Sequence, residues 1–140
     1  MRLDKLTQNS REALEYAQQL AESKSHAEIG GLHLLRGLLA NQESIVRDIL
    51  IDTGVEINKL ENALETKLES LPRVTGGNRL YMSPDLDKAL RISFEEAERM
   101  KDEYISVEHL LIGLLENKSD PASRLLSEAG LTKDKIYKSS

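Results

Sequence analysis

The chain has 140 residues, 19 basic against 24 acidic side chains, a net charge of −5 and no cysteine. The lack of cysteine removes disulfides, thiol nucleophiles and cysteine-based zinc sites, and the acidic balance argues against nucleic acid, whose phosphates need a basic face. No stretch approaches the roughly 18 uninterrupted apolar residues of a membrane span, and Met1 to Thr7 carries Arg2, Asp4 and Lys5 with no apolar run behind it, so the expectation is a single cytoplasmic domain that binds neither nucleic acid nor membrane.

In chain order, Thr7 offers a cap for a first helix whose Ser10, Ala13, Leu14, Ala17 and Ala21 share one face at 3.6-residue spacing. Leu34, Leu35, Leu38 and Leu39 mark a second helix. A third spans roughly 44–53 and closes on Gly54, a residue free to take positive φ. A fourth carries Leu60, Leu64, Leu68 and Leu71. The run Pro72-Arg73-Val74-Thr75-Gly76-Gly77-Asn78 then reads as a loop. After it the pattern restarts. Ser83-Pro84-Asp85 supplies a cap, a proline at the first helical position and an early acid, ahead of a stripe of Leu86, Leu90, Phe94, Ala97 and Met100. Leu110, Leu111, Leu114 and Leu115 follow, then a helix over 120–129 opened by Asp120-Pro121 and closed by Gly130.

The restart is a duplication. Leu-His-Leu-Leu-Arg-Gly-Leu-Leu at 32–39 returns as Glu-His-Leu-Leu-Ile-Gly-Leu-Leu at 108–115, 76 residues on. The same offset pairs Ala13 with Ala89, Leu14 with Leu90, Ala21 with Ala97, Ile29 with Ile105, Leu50 with Leu126 and Gly54 with Gly130. The fold expected is all-α: eight helices as two tandem four-helix repeats with pseudo-twofold symmetry. Repeat one covers about 1–71, a linker about 72–82 and repeat two about 83–140. Because Ser140 matches position 64, inside the first copy's fourth helix, the second copy is expected to be cut short and the chain to be a fragment of a longer protein.

Catalytic signatures are missing. There is no phosphate-cradling GxxxxGK[ST], no Gly-x-Ser-x-Gly elbow and no HExxH, and Gly76-Gly77 runs into Asn78-Arg79-Leu80 as a linker would. No further ligands stand at metal-binding spacing from His26, His33 or His109, and the equivalent His33 and His109 read as rings hydrogen-bonded near helix starts. Gly37 and Gly113, mid-helix in both copies, point to close helix–helix approach. Asp102, Glu103 and Glu108 flank Tyr104-Ile105-Ser106. A small hydrolase using Asp102 and Glu108 as acid and base would lack a nucleophile, whereas a solvated loop, with Glu108 in the first turn after a Ser106 cap, needs only the helix dipole. Tyr16 and Ile92 stand at equivalent places opposite their helices' apolar stripes. Either they form a partner-binding patch across the pseudo-dyad or they contact the other copy.

The tandem E-H-L-L-x-G-L-L unit, Thr7 after Met1-Arg2-Leu3-Asp4-Lys5-Leu6, and the run Asp102-Glu103-Tyr104-Ile105-Ser106-Val107-Glu108-His109 resemble the N-terminal domain of Clp-type AAA+ unfoldases along essentially the whole chain. The opening and Leu71-Pro72-Arg73-Val74 are most similar to the ClpB disaggregase branch. The resemblance implies a mobile, non-catalytic domain, monomeric by itself, that recruits unfolded or aggregated polypeptide or adaptor proteins. Two ATPase modules would follow, using ATP and magnesium and assembling as a hexamer, while the domain itself holds no cofactor. It implies roles for Thr7, Asp102 and Glu108, and an apolar groove near Ile92 and His109. The alternative within the family is adaptor docking for a ClpC-type unfoldase that feeds a protease. Domains of that kind that bind phosphorylated arginine carry a glutamate before the histidine in both copies, and here the first copy has Leu32.

Overall fold

The computed structural model describes residues 3–75 and 79–139. Met1, Arg2, Ser140 and the Gly76-Gly77-Asn78 part of the expected linker lie outside them. Eight α-helices run through the described residues: α1 (Gln8–Ser23), α2 (Gly31–Ala40), α3 (Ile45–Asp52), α4 (Ile57–Glu69), α5 (Pro84–Arg99), α6 (Val107–Glu116), α7 (Pro121–Glu128) and α8 (Lys133–Ser139). Every helix of the second copy begins 76 residues after its counterpart, so the sequence repeat is a structural one. Among the described residues no helix is long and apolar enough to cross a membrane.

Local chemistry sets the helix starts. The side chains of Thr7, Ser44, Ser83 and Asp120 accept hydrogen bonds from the amides of Ser10, Val46, Leu86 and Ala122, and Pro84 and Pro121 open the first turns of α5 and α7. Gly54 (φ 85°) and Gly130 (φ 97°) end α3 and α7 in the left-handed region. Less usual are Ser25 (φ 58°) and Lys101 (φ 60°), equivalent non-glycine residues in that region just beyond α1 and α5. The chain is wound there so that His26 and Asp102 donate their amides back to the carbonyls of Ala21 and Ala97.

Glycine governs the packing of α1 on α2 and of α5 on α6. A Cβ at Gly37 would overlap the Ala13 carbonyl, and one at Gly113 would overlap the Ala89 carbonyl and the Ser93 hydroxyl. This crossing corrects the expected stripe of α5. Leu86, Ala89, Leu90, Ser93, Glu96 and Ala97 are buried, Phe94 is half-buried and Met100, just past the helix end, is exposed; the small Ala89 and Ser93 face Gly113 where α6 approaches. In α1 Leu14 is likewise only half-buried. The core is continuous across the copies: α2 packs on α6 and α7, α3 on α6, and α4 on α7.

Two short pairings cross from copy to copy. Glu28–Ile29 (β1) lies parallel to Tyr81–Met82 (β2), with Ser83 N–H donating to the Ile29 carbonyl at 2.9 Å. By the same offset, Leu6 forms a parallel bridge to Ile105, and Thr7 N–H donates to the Ile105 carbonyl at 3.1 Å. Each copy's leading segment is therefore seated on the other copy. The stretch expected to be plain linker ends in β2, and earlier Arg73 bridges His26 while Val74 N–H donates to the Ser25 carbonyl at 2.8 Å.

Candidate functional site

Ile105 is the hub of the residues singled out by sequence. Its N–H donates to the Lys5 carbonyl at 2.8 Å, and its carbonyl accepts from Thr7 N–H and, at 2.9 Å, from the Ser10 hydroxyl. Thr7 Oγ1 in turn donates to Ser10 Oγ at 3.0 Å. Thr7 thus caps α1 and, through Ser10 and Ile105, ties it to the α5–α6 connection.

That connection carries Asp102, Glu108 and His109. The His109 ring is buried at the third position of α6, where its Nδ1 accepts the Ser106 backbone N–H at 2.9 Å. The proton therefore sits on Nε2, which donates to Asp102 Oδ2 at 2.8 Å. The first copy repeats the device: Gly30 N–H donates to His33 Nδ1 at 2.9 Å, and His33 Nε2 donates to His26 Nδ1 at 2.8 Å. Burial, then the neighbouring His26, push the His33 pKa down to about 4, and burial also lowers that of His26. Glu108 is half-buried in the first turn of α6, where the helix dipole favours an acid.

Ser106 Oγ lies 3.1 Å from His109 Nδ1, so Ser106, His109 and Asp102 line up in the manner of a hydrolase triad. The lone pair that would take the serine proton is already engaged by the Ser106 backbone N–H. In the first copy the identical ring arrangement persists with Gly30 in the serine's place. These contacts cap a helix, and His109 has no free lone pair with which to take a proton from Ser106.

Two grooves flank this hub. One, of about 280 Å³, runs between α1 and the starts of α3 and α6, with Tyr16, Ala13, Leu38 and Val107 in its wall. Tyr16 is 37% exposed there. The other, of about 290 Å³, has a floor of Phe94, Ala97 and Ile105 under Glu95, Glu98, Asp102 and Glu103. The structure brings Thr7, Asp102, Glu108 and His109 together around Ile105, with Tyr16 beside them. It does not bring Ile92 into either wall; that side chain is half-buried on α5. Sequence reasoning missed Lys5, Phe94 and Val107. The cross-copy pairing that recruits them has no local signature.

A duplicated all-α domain whose two copies are clasped by exchanged segments is a recognisable class of fold. The chain belongs to the Clp repeat N-terminal domain family, whose model matches residues 5–129. It is 36% identical over 143 aligned positions to the chaperone protein ClpB of Bacillus anthracis and 37% identical over 131 to that of Rhodopirellula baltica, covering 99% and 94% of this chain. It spans only 16% and 15% of those proteins. Among solved structures, the N-terminal domain of the ClpV1 ATPase from E. coli superposes with a TM-score of 0.85 at 25% identity, over 97% of this chain and 83% of that one. The Hsp104 N-terminal domain from Candida albicans gives 0.83 at 21%, over 96% and 87%. A ClpV N-domain solved in complex with a VipB peptide gives 0.80 at 23%, over 95% and 82%. The chain is thus an N-terminal domain of the Clp kind, similar to the corresponding part of the ClpB chaperones.

Proposed function

We propose that this domain captures unfolded or aggregated polypeptide for a ClpB-type disaggregase, in the groove that Tyr16 lines with Ala13, Leu38 and Val107. The observation that carries the reading is Tyr16, a large exposed side chain set in a groove between α1 and α6 that both copies build. The peptide held by a ClpV N-domain of the same fold supports polypeptide as the ligand class. Two downstream ATPase modules with ATP and magnesium, a hexameric ring and a cytoplasmic setting belong to the same proposal, drawn from the longer relatives. Capture must be weak, because the ring has to take the chain over.

The test is a titration of a permanently unfolded protein, followed by NMR at low and high salt. Tyr16→Ser should weaken binding about tenfold, the worth of losing roughly 1–2 kcal/mol of burial, with little salt dependence. Thr7→Ala should cost roughly 0.5–2 kcal/mol of stability through the lost cap, and weaken capture even well below the melting range. If only Glu108→Gln matters and salt abolishes binding, the contact is electrostatic and the apolar reading fails.

A further inference from the structure

The junction between α6 and α3 has a counterpart between α2 and α7, and the two are built differently. At the first, Val107 shares a groove wall with Ser44. At the second, the equivalent positions hold Gly31 and Asp120, and a Cβ on Gly31 would overlap the Asp120 carboxyl. The small residue and the large one have changed places, and the change puts a carboxylate into the wall of a cavity of about 350 Å³.

Asp120 is only 2% exposed. Its Oδ1 caps α7 by accepting the Ala122 N–H at 2.9 Å, while Oδ2 has no hydrogen-bond partner. Burial, and then the charge of Asp85, raise its pKa. Asp85 and Glu28 stand in the same wall, together with the apolar Leu71, Pro72 and Val74, and the wall contains no lysine or arginine among the described residues. Lys24 and Arg73, both near enough to His26 to lower its pKa, are ion-paired with Glu69. An acidic, largely apolar cavity thus retains a buried carboxylate oxygen that nothing in the described fold satisfies, a costly arrangement.

We propose that this cavity receives a basic side chain, a lysine or arginine presented by a partner polypeptide. The cation meets Asp85 and Asp120, and its methylenes run along Leu71, Pro72 and Val74. An apolar residue would leave the carboxylates uncompensated, and an anionic group would be repelled. The site is separate from the groove that Tyr16 lines and does not depend on it.

The experiment is an NMR titration of the 140-residue domain with N-acetyl-arginine amide, N-acetyl-lysine amide and N-acetyl-citrulline amide, the last a neutral isostere of the first. Saturable shifts at Gly30, Gly31, Val74 and Ala122 are expected with one or both cations, and the tighter of the two identifies the preferred residue. Citrulline should bind about tenfold more weakly, the worth of one charge-assisted bond. Asp85→Asn and Asp120→Asn should each weaken the cation similarly; asparagine caps a helix as well as aspartate, so the fold is kept. Tyr16→Ser, which impairs the other groove, should leave these shifts unchanged. Equal binding of citrulline, shifts confined to Asp102 and Glu108, or no saturation with either cation would each overturn the proposal.

Discussion

Burial, and after it the neighbouring His26, fixes how His33 answers acid. Its pKa of about 4 lies below the ordinary 6.5, so the unfolded chain binds a proton that the folded one refuses. The stability tied to its neutral form is fully present above pH 6.5 and is lost as pH falls through about 4. At 1.36 kcal/mol per pKa unit the whole effect is about 3 kcal/mol. Urea unfolding at a series of pH values should show this slope in the parent chain and a shallower one in His33→Gln, whose amide can still reach back to Gly30 N–H as in a capping box. An unchanged slope would place the titration elsewhere. His26 pushes the same way and Asp120 the opposite way; His26 is bonded to His33, so the difference between the two proteins removes the Asp120 contribution and reads the coupled His26–His33 pair. Sequence made the cap legible, because Gly30 and His33 are three residues apart. It could not show that His26 and Asp102 occupy the other ring nitrogen, since that contact passes through the left-handed turns at Ser25 and Lys101.

At the scale of the helices, the paired glycines decide how α1 meets α2 and α5 meets α6. Alanine at Gly37 or Gly113 gains about 1 kcal/mol of helix propensity. It also forces a methyl against the Ala13 or Ala89 carbonyl, and backbone cannot step aside as a side chain can. Overpacking of this kind costs about 1–3 kcal/mol. Both variants should therefore melt at lower temperature than the parent, and a higher melting temperature in either would mean that the helices can slide apart freely. Helix positions and ends were legible from caps, prolines and glycines. The buried face of α5 was read one step off, because periodicity weighs Phe94 and Met100 by size while the crossing selects Ala89 and Ser93 for being small. Small residues four apart, opposite a repeated glycine, were the available signal. The two-residue strand at Tyr81–Met82 had none, being held by its partner rather than by its own composition.

For the whole molecule, one core filled from both copies predicts one transition. Heat unfolding followed by far-ultraviolet circular dichroism and by tyrosine fluorescence should give coincident curves, since Tyr16 reports from the first copy and Tyr104 and Tyr137 from the second. Separate midpoints would mean that the copies unfold independently. Duplication and all-α architecture were plain in the constant 76-residue offset. The grooves were not, because each is walled by residues from distant parts of the chain. Thr7, Asp102 and Glu108 entered through family resemblance, and nothing in their spacing announced that Ile105 would gather them. The cavity beside Asp120 was invisible for another reason. An exchange of Val107 and Ser44 for Gly31 and Asp120 is meaningful only once the two junctions are known to be equivalent.

The reciprocal seating of Leu6 on Ile105 and of Met82 on Ile29 also says what a cut chain would do. Severed between Thr75 and Arg79, the protein becomes two pieces, each still carrying the short segment that completes the other. Neither piece alone can cover its share of the leucines from α2, α4, α6 and α7. Together they regain every pairing except the peptide bond that was broken. The halves should be unstructured apart and helical once mixed, with an affinity that rises or falls with the strap residues: Leu6→Gly or Met82→Gly should weaken reassembly far more than any change on the exposed face of α8. A domain made by doubling a gene segment would then behave, when divided again, as a heterodimer that happens to have been encoded as one chain.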